Sequence, residues 1–149
     1  MILLLQRASS GAVHIAGECV GAIEQGLVVL VGFEKGDTQA ELKRLCQRLL
    51  AYRVFADEQG RMNRSVRDIQ GGLLLVPQFT LAADTRSGNR PSFTPAAAPE
   101  DGKRLFDDFI ELVKTQWPQV ECGRFGADMQ VTIHNDGPVT FWLQQQANT

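Results

Sequence analysis

Alternation of apolar and polar residues near the end of the chain predicts two half-buried strands. Apolar side chains occupy every second position from Asp128 to His134, and again from Val139 to Leu143. A period of two is typical of a strand with one buried face. The intervening Asp136-Gly137 step is a common turn signal, so we expect a hairpin whose two strands meet at Gly137-Pro138.

The Gly137-Pro138 step itself has two interpretations. It is either an ordinary turn followed by an edge strand, or a rigid element that presents two adjacent carbonyl groups to a ligand. Gly137 has no Cβ to block a close approach, and Pro138 makes a cis peptide bond energetically accessible. The residues alone leave both interpretations open.

Continuous apolar runs predict strands that are buried more completely. The run in Gly26–Phe33 is expected at the centre of a sheet that is covered on both faces. Further strands are predicted at Ile2–Leu5, Val13–Ile15, Cys19–Ile23, Tyr52–Phe55 and Leu73–Val76.

Two segments change to helical spacing. Thr38 and Glu41 form a capping box before an apolar stripe that predicts a helix from Thr38 to Ala51. Pro99 suits the first position of a second helix, which we expect to end near Trp117. We therefore expect an α/β fold, one domain of residues 1–149, in which two helices cover a mixed sheet whose strand order the pattern does not give.

Composition limits the class of protein. A chain of 149 residues buries enough surface to need no disulfide, and Cys19, Cys46 and Cys122 lack metal-site spacing. We expect buried thiols in the reducing cytoplasm. No apolar run has the length of a signal or membrane segment, and the net charge of -2 argues against indiscriminate coating of nucleic acid.

Familiar catalytic motifs are absent from the sequence. It contains no phosphate-binding glycine loop, no G-x-S-x-G and no H-E-x-x-H. The two histidines, His14 and His134, are isolated on predicted strands, so we expect no metal, no cofactor and no histidine-based triad.

A site made of backbone groups is the remaining interpretation. Gln78, Phe79 and Thr80 follow a buried strand and Pro77, so their N–H groups are expected to be partly free to stabilise an oxyanion. The alternative places Phe79 and Leu81 in the core, with Gln78 and Thr80 as exposed strand residues.

Basic side chains suggest where RNA would bind. Arg86 and Arg90 lie in a long loop between Asp84 and Pro99, and Lys103 and Arg104 follow on the second helix. Either these residues contact phosphates or they are ordinary solvated charges.

Four motifs together resemble the D-aminoacyl-tRNA deacylase family. They cover almost the whole chain in order and are Gln78-Phe79-Thr80-Leu81-Ala82-Ala83-Asp84, Gly88-Asn89-Arg90-Pro91-Ser92-Phe93, Gly123-Arg124-Phe125-Gly126-Ala127-Asp128-Met129 and Asn135-Asp136-Gly137-Pro138-Val139-Thr140. The resemblance implies a three-layer β/β/α fold and a cytoplasmic homodimer with active sites at the interface. Such a dimer hydrolyses the ester of a D-amino acid or glycine at the 3′ end of tRNA, with no cofactor and with no DNA or membrane as partner.

The resemblance also implies roles for individual residues. Gly137 and Pro138 would form a cis step that enters the partner subunit's pocket and rejects L-amino acids by shape. Gln78, Phe79 and Thr80 would supply the opposite wall, and Arg7 and Met129 would support the pocket. The ribose 2′-hydroxyl of the tRNA would help to activate the attacking water.

One position departs from the family pattern. The first motif usually begins with Ser, whereas this chain has Pro77, which lacks both the hydroxyl and the backbone N–H. We expect activity to survive because the rest of the motif matches. Two rival functions remain: a non-catalytic module that binds RNA ends, and an esterase or amidase for free D-amino-acid derivatives.

Overall fold

The computed structural model describes residues 1–147 and contains eight strands and two α-helices in that part of the chain. In chain order these are β1 (Ile2–Ile15), β2 (Glu18–Ile23), β3 (Gly26–Gly32), α1 (Gln39–Ala51), β4 (Phe55–Ala56), β5 (Met62–Arg64), β6 (Gly72–Pro77), α2 (Pro99–Gln116), β7 (Val120–Cys122) and β8 (Gln130–Gln144). A 3₁₀ turn at Phe79–Ala82 follows β6.

The main sheet is mixed and is organised around the long strand β1. Its order is β2-β1-β3-β6-β7, and β8 also pairs with β1. β1 is antiparallel to β2, β3 and β8, whereas β3, β6 and β7 run parallel. Because β3 pairs with residues 2–8 of β1 and β2 pairs with residues 11–15, the two ends of β1 belong to different parts of the sheet.

Strand β3 has a hydrophobic core on each face. Leu27, Val29 and Val31 join the core that contains both helices, while Val28 packs with Val13 and Ala8 on the other side. The molecule therefore has β, β and α layers, which confirms the predicted α/β fold with a mixed sheet and two covering helices. Full burial of each such aliphatic side chain contributes about 1.5–3 kcal/mol.

Both predicted helices are confirmed. The Thr38 Oγ1 accepts from the N–H of Ala40 at 3.3 Å, and the Glu41 carboxylate accepts from the N–H of Thr38 at 2.6 Å. This capping box fixes the start of α1. Helix α2 begins at Pro99 and ends before Trp117, with acidic residues in its first turn.

The predicted terminal hairpin is wrong. Residues on both sides of Gly137-Pro138 belong to one strand, β8, which pairs along its length with β1. Alternation continues on both sides of a bulge as it does on both sides of a turn, so the period alone does not distinguish them. The chain leaves the ladder briefly and returns to the same partner strand.

Smaller differences have local causes. The strands expected at Ile2–Leu5 and Val13–Ile15 are one strand, because β8 supplies partners for the polar residues between them. Of the strand expected at Tyr52–Phe55, only Phe55 is in β4. Cys46 is buried as expected, but Cys19 is exposed and Cys122 is half-buried. Neither α1 nor α2 is long and apolar enough to cross a membrane, and residues 1–147 hold no other α-helix.

Candidate active site

The bulge in β8 projects three extra residues from the sheet. Gln6 and Ala8 are two residues apart in β1, whereas their partners Thr140 and Asn135 are five residues apart in β8. The peptide bond between Gly137 and Pro138 is cis, and both residues are exposed. The main chain of the bulge therefore lies outside the strand ladder and is open to solvent.

Asn135 closes the base of this bulge with its side-chain amide. The Asn135 Oδ1 accepts from the N–H of Val139 at 3.0 Å, and its Nδ2 donates to the Val139 carbonyl at 3.1 Å. The same Nδ2 donates to the Arg7 carbonyl at 3.3 Å, which ties the bulge to β1. Side-chain bonds thus replace the backbone ladder where the strands separate.

Arg7 supports the outer part of the bulge. Its Nε donates to the Asp136 carbonyl at 3.0 Å, and its Nη1 donates to the Val54 carbonyl at 2.8 Å. The Asp136 carboxylate lies 3.5 Å from Nε, and the Arg7 side chain is only 15% exposed. Arg7 therefore joins the bulge to the segment that precedes β4.

Position 137 has no room for a side chain. Its φ angle is +137°, a region that L-residues rarely adopt. A Cβ there would lie 2.6 Å from the Val139 Cγ2 and 3.3 Å from the Arg7 Nη2. The bulge in this form requires glycine.

The predicted opposite wall begins where β6 ends. Pro77 is the last residue of β6, and it pairs with Val31 beyond the end of the β7 ladder. Proline is tolerated there because the ladder between β6 and β7 has already ended, so β7 does not require an N–H donor from residue 77. The N–H of Gln78 donates to the Val31 carbonyl at 2.8 Å, so the prediction that this N–H is free is wrong.

The next two N–H groups do fit the prediction. Phe79 and Thr80 start the 3₁₀ turn, and within residues 1–147 neither N–H has a hydrogen-bond acceptor. The Gln78 Nε2 donates to the Thr80 Oγ1, which holds both polar side chains beside these N–H groups.

Phe79 is not a core residue, so the alternative that placed it in the core is wrong. Its side chain is 56% exposed, and its ring centroid lies 5.2 Å from that of Phe93, which is 44% exposed. The 3₁₀ turn directs Phe79 outward, whereas a continued strand would have alternated it inward.

A cavity of about 290 Å³ lies beside this wall. Its lining residues are Val76, Pro77, Gln78, Phe79, Phe125, Gly126, Ala127, Met129 and Val131. The Met129 Sδ accepts from the N–H of Arg124 at 3.4 Å, and a Cβ on Gly123 would lie 2.7 Å from that sulfur. Gly123 therefore leaves space for Met129 to form one side of the cavity.

A second cavity, of about 250 Å³, adjoins the first. Phe79, Phe125 and Gly126 line both cavities, and the remaining lining of the second is mainly apolar. The Phe79 and Phe125 side chains thus lie between the two cavities.

Within one chain, the structure does not combine all predicted site residues. Gln78, Phe79 and Met129 line the first cavity, and Thr80 is bonded to Gln78 beside it. Gly137 and Pro138 line neither cavity. The bulge and the cavity are therefore two separate parts of the candidate site.

The predicted RNA-contact residues differ in their electrostatic surroundings. Two hydrogen bonds from the Arg86 guanidinium and one from its backbone N–H reach the Asp84 carboxylate, and these bonds lower the pKa of that carboxyl to about 2. Lys103 pairs with Asp107, and Arg104 pairs with Asp101. Arg90 is exposed, and the ion pairs found in residues 1–147 do not include it.

No group of three or more potential metal ligands converges among residues 1–147. The His134 Nδ1 lies 3.0 Å from the Ser10 Oγ on an exposed part of β8. Neither histidine lines the two cavities described above.

Sequence reasoning missed three contributors to the site. They are Asn135, the Val54 carbonyl and Phe125, although two of them lie within the quoted motifs. An Asn two residues before a glycine is a usable signal for side-chain bonding to the backbone. The Val54 contact has no sequence signal, because it depends on tertiary packing.

Known proteins match this chain over nearly its full length. The model of the family described as D-Tyr-tRNA(Tyr) deacylase matches residues 4–144. A protein of Stenotrophomonas maltophilia (strain K279a), named D-aminoacyl-tRNA deacylase, is 61% identical over 145 residues, which cover 97% of this chain and 99% of that protein.

Two solved structures are also similar. One titled c-Myc DNA Unwinding Element Binding Protein is 39% identical, covers 99% of this chain and 100% of its own, and has a TM-score of 0.94. Another, titled as a probable eukaryotic D-amino acid tRNA deacylase, has a TM-score of 0.84 at 18% identity, covers 95% of this chain and 97% of its own, and shows the fold alone. With a family match over nearly its full length and a relative of such high identity, this chain belongs to the D-Tyr-tRNA(Tyr) deacylase family.

Proposed function

We propose that the protein hydrolyses the ester bond between a D-amino acid and the 3′-terminal adenosine of tRNA, and that it spares L-aminoacyl-tRNA. Family membership and the name of the 61% identical relative support this activity. Two observations carry the chemistry: an exposed bulge at Gly137-Pro138, and, in a separate part of the chain, two unpaired N–H groups beside a cavity. The reaction would take place in the cytoplasm and would release free D-amino acid and tRNA.

The bulge supplies the proposed selection of handedness. Carbonyl groups next to Gly137 and Pro138 would accept hydrogen bonds from the substrate's α-ammonium, and Arg7 and Asn135 hold them in place. With the ammonium and the ester both fixed, an L side chain would meet main-chain atoms. A D side chain would point away from them, and the hydrogen of glycine would also fit. The same site would therefore also accept glycyl-tRNA that is mischarged on tRNA-Ala.

A complete site would need two copies of the chain. The bulge projects from β8, and the outer edge of β8 has no strand partner within residues 1–147. Trp142 on this strand is 51% exposed. Long exposed edges are usually covered in natural proteins. A homodimer in which each bulge enters the other subunit's cavity would cover this edge and join the two parts of the site.

The cavity wall would stabilise the transition state. When water attacks the ester carbonyl, its oxygen becomes negative and would accept from the N–H groups of Phe79 and Thr80. Each well-placed donor of this kind is worth roughly a hundred- to thousand-fold in rate. The bond to the ribose 3′-oxygen then breaks, and that oxygen takes a proton as it leaves.

The proton acceptor for water would come from the substrate. No acidic or histidine side chain lines the cavity beside Gln78. The 2′-hydroxyl of the terminal ribose is close to the ester in any bound substrate, so we assign it a proton relay: it would take a proton from the attacking water and pass its own proton to the departing 3′-oxygen. Phe79 and Phe125 present aromatic rings to the adjoining apolar cavity, which suits the adenine base.

Release of D-tyrosine and L-tyrosine from matched tyrosyl-tRNAs tests the proposed function. We expect rapid release of the D-amino acid and none above background for the L-form. Binding of both tRNAs without release would favour the non-catalytic RNA-end module. Equal cleavage of D-tyrosine methyl ester and D-tyrosyl-tRNA would favour an esterase for free D-amino-acid derivatives.

A further inference from the structure

Positive charge is concentrated in one part of this acidic chain. Residues 43–67, here called the basic segment, contain seven of the 15 basic residues and two of the 17 acidic residues. The remainder contains eight basic and fifteen acidic residues, so the two parts have opposite net charge. The seven basic residues of the segment are Lys43, Arg44, Arg48, Arg53, Arg61, Arg64 and Arg67.

These charges are largely unneutralised. Within residues 1–147, only Arg64 among the seven forms an ion pair, with the 83% exposed carboxylate of Glu58. Arg48 lies over the Tyr52 ring at 5.7 Å, and the others outside α1 are exposed. By contrast, Arg86, Lys103 and Arg104 each pair with an acid within four residues. The basic segment therefore presents a stronger positive field.

The two helices on the same face of the sheet have opposite character. The basic residues 43 and 44 of α1 are exposed and residue 48 is half-buried, whereas its single acid, Glu41, is buried in the capping box. Helix α2 carries five acidic and three basic residues. A polyanion that approaches the helical layer would thus be attracted to α1 and repelled by α2.

Direct contacts connect the basic segment to the bulge. The Arg7 Nη1 donates to the Val54 carbonyl at 2.8 Å, while its Nε donates to the Asp136 carbonyl. Arg53 precedes Val54 in the chain, and Arg64 is paired with Phe55 across the β4–β5 ladder. The Arg7 side chain therefore links the bulge to the short stretch of backbone beside Arg53 and Arg64.

The rest of the segment continues from there onto α1. The pKa of Asp68 is lowered by hydrogen bonds from Ser65, with the positive charges of Arg64 and Arg53 contributing. Burial raises the pKa of the Cys46 thiol on α1, and the charge of Arg67 opposes this change. Arg53 and Arg64 thus lie near Asp68, and Arg67 lies near Cys46 of α1, so charges of the basic segment occur both beside Val54 and beside α1.

We propose that the basic segment binds the phosphates of the tRNA acceptor stem while the 3′ end occupies the candidate site. This inference rests on the proposed function for the choice of partner. Six of the seven residues are arginine, whose planar guanidinium forms paired hydrogen bonds with phosphate oxygens. Helix α1 alone is about 20 Å long, enough to lie along several phosphates. The contacts would be independent of base sequence.

Two triple variants of identical charge test this surface. Lys43→Gln/Arg44→Gln/Arg67→Gln changes exposed residues of the basic segment, whereas Lys103→Gln/Arg104→Gln/Lys114→Gln changes exposed residues of α2. Binding of uncharged tRNA to each protein is measured by fluorescence anisotropy across a range of salt concentrations. Far-ultraviolet circular dichroism and thermal unfolding confirm that both variants fold.

We expect the basic-segment variant to bind uncharged tRNA roughly tenfold more weakly, with a log–log salt slope smaller by about 2–3. The α2 variant should change affinity less than about twofold, because its altered residues would contact no phosphate. Equal effects of the two variants would overturn the proposal, as would failure of the unaltered protein to bind tRNA.

Hydrolysis separates this inference from the proposed function. The basic-segment variant should cleave 3′-O-D-tyrosyl-adenosine, which lacks the acceptor stem, as fast as the unaltered protein does. If the unaltered protein hydrolyses D-tyrosyl-tRNA and the variant binds tRNA normally, the basic segment is not the docking surface and the activity stands. If tRNA binds through the segment and neither substrate is cleaved, the proposed activity is wrong and the surface stands.

Discussion

Asn135 bonds both the N–H and the carbonyl of Val139 through a single side-chain amide, at 3.0 and 3.1 Å. Asn135→Ala should therefore release the bulge and leave half-buried backbone groups without partners. We expect the free energy of unfolding to fall by about 1–3 kcal/mol and D-tyrosyl-tRNA hydrolysis to fall more than roughly tenfold. Urea unfolding and initial rates measure the two effects.

Two variants control for this change. Asn135→Asp keeps the acceptor for the Val139 N–H but places a carboxylate near the Val139 and Arg7 carbonyls, so it should also lose activity. Asn89→Ala, in the exposed loop, should change neither quantity. Full activity of Asn135→Ala would show that the bulge keeps its shape without this side chain.

Gly137→Ala should inactivate the protein and cost more stability than a glycine substitution at an open turn. A Cβ at Gly137 would lie 2.6 Å from the Val139 Cγ2, whereas at Gly60, with φ +78°, a Cβ would meet nothing within 4 Å. Gly60→Ala costs about 1 kcal/mol through its positive φ, and Gly137→Ala costs more because its φ of +137° is rarely adopted by L-residues and its Cβ has no space. Only Gly137→Ala should lower kcat/KM, by more than roughly tenfold, because only it moves the carbonyl groups. Comparable rates for the two variants would remove the bulge from the mechanism.

Thr80→Ala should slow turnover without unfolding the protein. Thr80 is exposed, and its hydroxyl accepts from the Gln78 side chain beside two unpaired N–H groups. We expect kcat to fall roughly tenfold, with a stability change within about 0.5 kcal/mol. Thr80→Ser retains the hydroxyl and should recover most of the rate. An unchanged kcat in Thr80→Ala would show that the Thr80 hydroxyl has a structural role and no catalytic one.

Pro77→Ser should leave activity nearly unchanged. Pro77 ends β6 beyond the β7 ladder and lines the cavity, and the backbone donors of Phe79 and Thr80 do not depend on a hydroxyl at position 77. The free energy of unfolding should fall by about 0.4–1 kcal/mol, because serine gives the unfolded chain more freedom. Rates on D-tyrosyl-tRNA within about threefold of each other are expected. An inert natural protein beside an active Pro77→Ser variant would identify the hydroxyl as essential.

Local signals predicted the helices and the buried strands well. The capping box at Thr38 and the proline at position 99 act within one helical turn, so the sequence determines these starts without tertiary information. The run that forms β3 was also predicted correctly, because only a strand covered on both faces needs such continuous apolar character. The resemblance supplied the layer arrangement, which periodicity does not determine.

Features that depend on distant partners were less predictable. Whether Gly137-Pro138 forms a turn or a bulge depends on β1, more than a hundred residues earlier in the chain. The bonds from Arg7 to Val54 and from Asn135 to Val139 are tertiary or side-chain contacts with no period. Sequence reasoning did not single out the basic segment, because its relation to the site depends on the Arg7 contact.

The bulge also limits what the exposed edge of β8 can pair with. It divides the strand into Gln130–Asn135 and Thr140–Gln144, so a straight foreign strand can add to one piece but not continue across both. An uninterrupted fifteen-residue edge would be a template for fibrous assembly. The kink that shapes the candidate site therefore also protects the protein from uncontrolled sheet growth.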